Sequence, residues 1–349
     1  EVLKHGNLTD YLAWKWELPL GLDTFVWGTL LAGDRNIFIL GMQGLFKFSP
    51  DGETLWERKD IAGSGMGAIT GNALCAMALN TALMTCVDVA SGATLWSRQV
   101  GKSTGVSGDM VTSNNGIVIA GVDELDIGMG MEGSCSERVI GINASTGDQL
   151  WSYTPECGLW NIMAIFPDED TVNFMDSCGG LYRLGLFNGS ELWKRAPDPG
   201  AWTDGGATLG PDGSLYTCSD EPYSKTRLLE QDSMEGIQGR VRKFKQSTGE
   251  MVWETKIANP CVNFPAISAD GKTLVLADGA NVLSPPTRVF SQGMGREAID
   301  QFFKLQMQWL AEKRQLAMWG QQDLNASLIG FDTETGKMTW KHEVEPWWG

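Results

Sequence analysis

Histidine is scarce in this chain: His5 and His342, near opposite ends, are the only two in 349 residues. Neither has a companion at metal-ligand spacing, which counts against a histidine-based zinc centre and against a Ser-His-Asp triad. No C-x-x-C pair occurs. The seven cysteines, Cys75, Cys86, Cys135, Cys157, Cys178, Cys218 and Cys261, are scattered and odd in number, which speaks against a disulfide framework. Long apolar runs are missing too. The longest, around residues 73 to 87, is broken by Asn80 and Thr81 and falls short of the roughly 20 residues of a membrane helix. The chain opens on Glu1 without a secretory h-region, so a leader is expected to have been removed or left out. Positive charge is in deficit: 27 Lys and Arg against 43 Asp and Glu give a net charge of −16. That balance disfavours nucleic acid, because phosphate binding needs a concentrated positive face. The one basic cluster, Arg240, Arg242, Lys243 and Lys245, alternates along an expected strand and reads as a solvated strand face.

What the chain has instead is a repeat. A small-residue turn, a glycine and a tryptophan four residues later recur six times: Gly52 with Trp56, Gly92 with Trp96, Gly147 with Trp151, Gly189 with Trp193, Gly249 with Trp253, and Gly336 with Trp340. A weaker copy, GNLTDYLAW, ends at Trp14 with Asp10 in the glycine position. The basic unit is near 40 residues and has absorbed insertions in three places, a length typical of solenoids, propellers or arrays. Within the unit from Trp56 to Trp96 the segments GMGAIT, ALCAMAL, ALMTCVDV and ATLW are joined by tight turns, and the unit before it reads VWGTLL, NIFILG, LFKFS and ETLW. Four short strands per repeat make the blade of a β-propeller. The glycine supplies the positive φ of the turn between third and fourth strands. The tryptophan, on the outermost strand, is placed to cover the junction with the next blade while its N–H finds a backbone partner.

On these motifs the chain resembles the quinoprotein-like propellers with pyrroloquinoline-quinone-type repeats and tryptophan docking, over nearly its whole length from Trp14 to Trp340. The resemblance implies fold rather than activity, since the group spans quinone-dependent alcohol dehydrogenases, the bacterial outer-membrane assembly lipoprotein of the β-barrel machinery, and stress-sensing lumenal domains. Its dehydrogenases carry two adjacent cysteines in a ring over the cofactor, with calcium-binding carboxylates beside it. No two cysteines are adjacent here, so a non-catalytic member is expected, with no catalytic residues, cofactor or metal.

Smaller features have two readings each. If Asn80-Thr81 is a two-residue turn, Cys75 and Cys86 face each other across a hairpin within disulfide reach; two buried free thiols are the plainer alternative. The acidic groups Asp123, Glu124 and Asp126, and Asp168, Glu169 and Asp170, lack the spacing of a calcium loop and read as solvated turns. The sequons at Asn7, Asn143, Asn188 and Asn325 are acceptors in a secretory protein, although two coincide with the repeat turn, where Asn and Ser are favoured anyway.

The insertions point to function. They follow GIVIAG, SLYTCSD and KTLVLADG, each interrupting the connection between second and third strands, and so are expected side by side on one rim. The longest, residues 281–325, is expected to hold a helix over about 296–319, free of glycine and proline and stopped by Gly320. Its apolar residues, Ile299, Phe302, Phe303, Leu305, Trp309 and Leu310 among them, spread over about 220° of the circumference, enough for two neighbours. Either the helix packs loosely on its own propeller, or one side packs there and the other meets a second protein.

The chain is therefore read as a single all-β propeller domain over 1–349. Six repeats are complete, and the ring either closes on six blades or belongs to one of seven or eight. The leading function is a non-enzymatic scaffold whose insertions dock a protein partner, with a membrane-associated complex in an extracytoplasmic or lumenal compartment as the expected setting. The alternatives are a quinone- or metal-dependent oxidoreductase and a sensor of small ligands or peptides.

Overall fold

Alternating apolar positions punctuated by glycine turns fold each repeat into an antiparallel meander. The computed structural model describes residues 26–41, 43–61, 67–78, 81–102, 110–123, 136–159, 161, 164–198, 201, 203, 206–221, 238–259, 261, 263–279 and 326–344. Sheet I holds β1 (Val26–Leu31), β2 (Ile37–Gly41), β3 (Gly44–Phe48) and β4 (Thr54–Arg58); sheet II holds β5 (Ala68–Thr70), β6 (Ala73–Met77), β7 (Leu83–Asp88) and β8 (Thr94–Gln99). Sheet III is β9 (Met110–Thr112), β10 (Ile117–Val122), β11 (Arg138–Asn143) and β12 (Gln149–Tyr153). Sheet IV has three strands, β13 (Thr171–Met175), β14 (Leu181–Gly185) and β15 (Glu191–Arg195), and a bridge between Ile165 and Asn173 stands in the place of its innermost strand. Sheet V comprises β16 (Thr208–Leu209), β17 (Ser214–Asp220), β18 (Gly239–Lys245) and β19 (Met251–Ile257). Sheet VI comprises β20 (Ala266–Ile267), β21 (Thr273–Gly279), β22 (Ala326–Asp332) and β23 (Met338–Val344). No helix occurs among the described residues.

The repeat glycines take the left-handed conformation, φ from 65° at Gly189 to 89° at Gly52. The tryptophan of one sheet then reaches the glycine turn of the next. Trp56 Nε1 donates to the Val89 carbonyl at 3.3 Å, Trp96 to Ala144 at 2.7 Å, Trp151 to Leu186 at 2.7 Å, Trp193 to Gln246 at 3.1 Å and Trp253 to Thr333 at 3.1 Å. Each ring lies so close to the receiving glycine that a methyl group would not fit: a Cβ on Gly147 would stand 2.7 Å from Trp96, and one on Gly336 2.6 Å from Trp253. A second contact often follows two residues on, as Arg58 Nη1 to the Gly92 carbonyl, Tyr153 Oη to Glu191 and Thr255 Oγ1 to the Gly336 carbonyl. The core therefore lies between sheets. Met84, Cys86 and Trp96 of sheet II pack on Val118, Ala120 and Ile142 of sheet III, and Tyr216 and Val241 of sheet V pack on Leu274, Ile329 and Phe331 of sheet VI.

Every outer strand carries a β-bulge at the residue before its tryptophan. Lys47 pairs with Trp56 while Phe48 pairs with Thr54, leaving Leu55 over, and the same skip occurs at Leu95, Leu150, Leu192, Val252 and Thr339. The bulge re-aims the indole toward the next sheet and twists the edge away from further pairing. It also explains why Leu55, Leu95, Leu150, Leu192 and Val252 stand exposed on the outer edges of sheets I to V.

Two expectations are overturned. Cys75 and Cys86 are register partners and form a disulfide, and further disulfides join Cys157 to Cys178 and Cys218 to Cys261, with Cα atoms 6.0 and 5.6 Å apart. The cysteines thus do form a framework, because the turns bring residues 21 and 43 positions apart together; Cys135 lies outside the described residues. The basic cluster is not a solvated face either. Arg242 is buried between Asp198, at 2.5 Å, and Glu254, at 2.7 Å; Arg240 also meets Asp198, and Lys243 pairs with Asp212 at 2.8 Å, leaving Lys245 exposed. Asp198 comes from the connection between sheets, which the strand's own alternation does not reveal.

Candidate functional site

In an up-and-down sheet the turn between second and third strands, the end of the fourth strand and the start of the first share one rim. The long connections β10 to β11 (123–137), β17 to β18 (221–238) and β21 to β22 (280–325) all belong to that rim, as do the crossovers from each sheet to the next. The insertions expected on one side therefore leave the same side of their sheets. The helix over 296–319, with Ile299, Phe302, Phe303, Leu305, Trp309 and Leu310, lies outside the described residues, as do Trp14, His5, Glu124, Asp126, Asn7 and Asn325. His342 is exposed on β23.

The rim is built on aspartates that sequence reasoning missed or, for Asp123, misread: expected in a solvated turn, it is fully buried. Four second strands end in a buried one: Asp123, Asp176, Asp220 and Asp278. Each fixes a root of an insertion or a crossover. Asp123 Oδ1 accepts the Glu137 amide where the first insertion returns, and its carbonyl accepts the Lys102 amide from the preceding crossover. Asp220 Oδ1 accepts the Cys261 amide at 2.9 Å, tying the crossover from sheet V to sheet VI back to β17. Asp278 accepts Ser327 Oγ and Asn259 Nδ2. Backbone pairing between Ser136 and Leu159, and the Thr203 Oγ1 bond to the Cys218 carbonyl, extend the same lacing. The signal available in sequence was an aspartate closing each apolar second strand, in GVD, FMD, CSD and LAD. Of the acidic turns, Asp168 is exposed and accepts Asp170 N, Thr171 Oγ1 and Arg183, as a solvated turn does.

Asp176 is the most developed of these. Its two oxygens accept the amides of Cys157, Cys178 and Gly180 and the Tyr182 hydroxyl, at 2.7 to 3.2 Å. Burial pushes its carboxyl above the usual carboxylate range, outweighing those four donors. The same burial, with the Asp176 charge beside it, pushes the Tyr182 phenol up. A carboxyl raised on folding contributes stability that is full below its unfolded value of about 3.9 and is lost as pH rises through its folded value. The stability difference between wild type and Asp176→Asn, followed by urea unfolding, should therefore shrink from acid toward neutral pH; a difference that grows over that window contradicts the assignment.

Residues 42–200 match the family model of the PQQ-type repeat described as outer membrane protein assembly factor BamB. No curated protein sequence matches the chain. Among solved structures, a europium-containing methanol dehydrogenase is similar at 12% identity and a TM-score of 0.56, covering 91% of this chain and 68% of that one. BamB from Moraxella catarrhalis is similar at 12% identity and a TM-score of 0.39, over 74% of this chain and 81% of that one. KlHsv2 with its loop 6CD replaced by a Gly-Ser linker follows at 10% identity and a TM-score of 0.47, over 73% and 75%. At such identities the likeness to the methanol dehydrogenase is one of fold.

Proposed function

We propose that this chain, whose residues 42–200 match the PQQ-type repeat model, is a non-enzymatic scaffold that docks partner proteins through the insertions of one rim. The observation that carries this reading is the common origin of all three long insertions in the connection between second and third strands, on a rim laced by Asp123, Asp176, Asp220 and Asp278. Loops held by a rigid frame are where binding usually resides. The family model's own description, a factor of outer membrane protein assembly, agrees with an accessory subunit working beside a membrane complex. No helix among the described residues is long and apolar enough to cross a membrane. Three cystines agree with an oxidising, extracytoplasmic or lumenal compartment.

Deleting Ser291 to Gln322 tests the docking role. The shortened chain should keep its strand signal and melting behaviour and no longer co-purify with its partner. Retained association with an intact fold overturns the reading. The competing oxidoreductase makes a different prediction: purified protein would carry a quinone chromophore between about 300 and 450 nm, or stoichiometric metal.

A further inference from the structure

The three disulfides are not equivalent. Cys75, Cys86, Cys218 and Cys261 are buried to 1% exposure or less, whereas Cys178 is partly exposed on the turn between β13 and β14 and its partner Cys157 lies beneath it at 5%. Only this pair, among the described residues, has a carboxylate oxygen within 4.8 Å of both its sulfurs. A carboxylate oxygen of Asp176 and both sulfurs lie within 4.8 Å of one another. Ser177 Oγ donates toward Cys157 Sγ at 3.8 Å, and the Cys157 and Cys178 amides both point at the same carboxylate. Cys178, half-buried where the other five paired cysteines are fully buried, and Cys157 beneath it share a buried carboxyl, a set of groups that can support thiol–disulfide exchange.

We propose that Cys157–Cys178 is an exchange-active disulfide that accepts electrons from dithiols reaching the insertion-bearing rim, with Cys178 as the attacked sulfur and Asp176 as proton donor and acceptor to Cys157. A donor thiolate attacks Cys178 Sγ; the Cys157–Cys178 bond breaks, a donor–Cys178 bond forms, and Cys157 leaves as thiolate and takes the Asp176 proton. The donor's second thiol, as thiolate, then attacks its own sulfur in the mixed disulfide and releases Cys178, which takes a proton from water, as Asp176 does. The donor ends as a disulfide, and the protein has gained two electrons and two protons. The exchange is stoichiometric, one cystine per chain, and is compatible with a scaffold that grips a thiol-bearing partner. Burial, which raises the Asp176 carboxyl above the ordinary carboxylate range, suits it to this transfer.

The test treats the folded, oxidised full chain with dithiothreitol, traps free thiols with N-ethylmaleimide and maps them by peptide mass spectrometry. Cys157 and Cys178 should be labelled together at least about tenfold faster than the other four, with one dithiothreitol oxidised per chain. Equal labelling of all three pairs, earlier labelling of Cys218 and Cys261, or no labelling short of unfolding overturns the proposal. The proton role is read from exchange rate against pH. Asp176→Asn should slow exchange about tenfold near pH 7 and remove the inflection. Tyr182→Phe, which removes one donor to the carboxylate and keeps the turn, should move the inflection to higher pH. Profiles unchanged in Tyr182→Phe overturn the assignment of Asp176 even if Asp176→Asn fails to fold.

Discussion

Trp96→Ala should cost about 3–5 kcal/mol, while the chemically identical change at Trp340 should cost less than about 1 kcal/mol. The contrast comes from where the rings end up. Trp96 is 8% exposed, packs among Met84, Val118, Ala120 and Ile142, and donates to the Ala144 carbonyl of the next sheet. Its removal leaves a cavity between two sheets and a buried carbonyl without its donor, which adds about 1 kcal/mol. Trp340 is 41% exposed and lies over Gly330 of its own sheet, with no receiving turn among the described residues. In a repeat architecture the interface term is what couples neighbours, so Trp96→Ala should also lower the cooperativity of urea unfolding, and Trp340→Ala should not. Gly147→Ala provides an independent check on the same junction: it combines a φ of 75° with a Cβ placed 2.7 Å from the Trp96 ring, and should cost about 1–3 kcal/mol. Equal losses at Trp96 and Trp340, by chemical denaturation of the full chain, would refute the junction as the seat of stability.

The junction was legible because its parts are local. Gly-x-x-x-Trp places a left-handed turn and an outer-strand indole within five residues, and the strands of the first two repeats fall where their alternation puts them. The Cys75–Cys86 register followed from turn position alone. What sequence could not supply was set by contacts between distant segments. Cys157 and Cys178, or Cys218 and Cys261, meet only because a crossover returns over the end of a second strand. The bulge residues Leu55, Leu95, Leu150, Leu192 and Val252 look like core positions in the pattern; the skipped pairing turns them outward. Phe302, Leu310 and their neighbours, expected from the sequence to dock a partner, sit in an insertion whose placement the repeat does not dictate, so only its root on the rim was readable.

Arg242→Ala should be the most damaging single change on the insertion-bearing side of sheet V, costing about 3–5 kcal/mol. The misreading of its neighbourhood shows why. Alternation on β18 put Arg240 and Arg242 on a face taken for solvent, yet Arg242 has 5% side-chain exposure and bridges Asp198, from the crossover between sheets IV and V, to Glu254 on β19. Truncation leaves Glu254, 27% exposed, without its guanidinium and Asp198, 33% exposed, with only the longer contact to Arg240 at 3.5 Å. Removing the acids instead separates the contributions. Asp198→Asn keeps a hydrogen-bonding side chain facing the arginine and leaves Glu254 to neutralise it, so its loss should be nearer 1–2 kcal/mol. Arg242→Lys keeps charge but not the planar fork that serves Asp198 through Nη2 and Glu254 through Nε at once, and should fall between the two. If the pair acts as one unit, Asp198→Asn in an Arg242→Ala background should recover part of the loss, because it relieves the repulsion between Asp198 and Glu254 that the guanidinium had offset. A purely additive cycle, measured by urea unfolding at low and at physiological salt, would mean that Arg242 stabilises the crossover by packing alone.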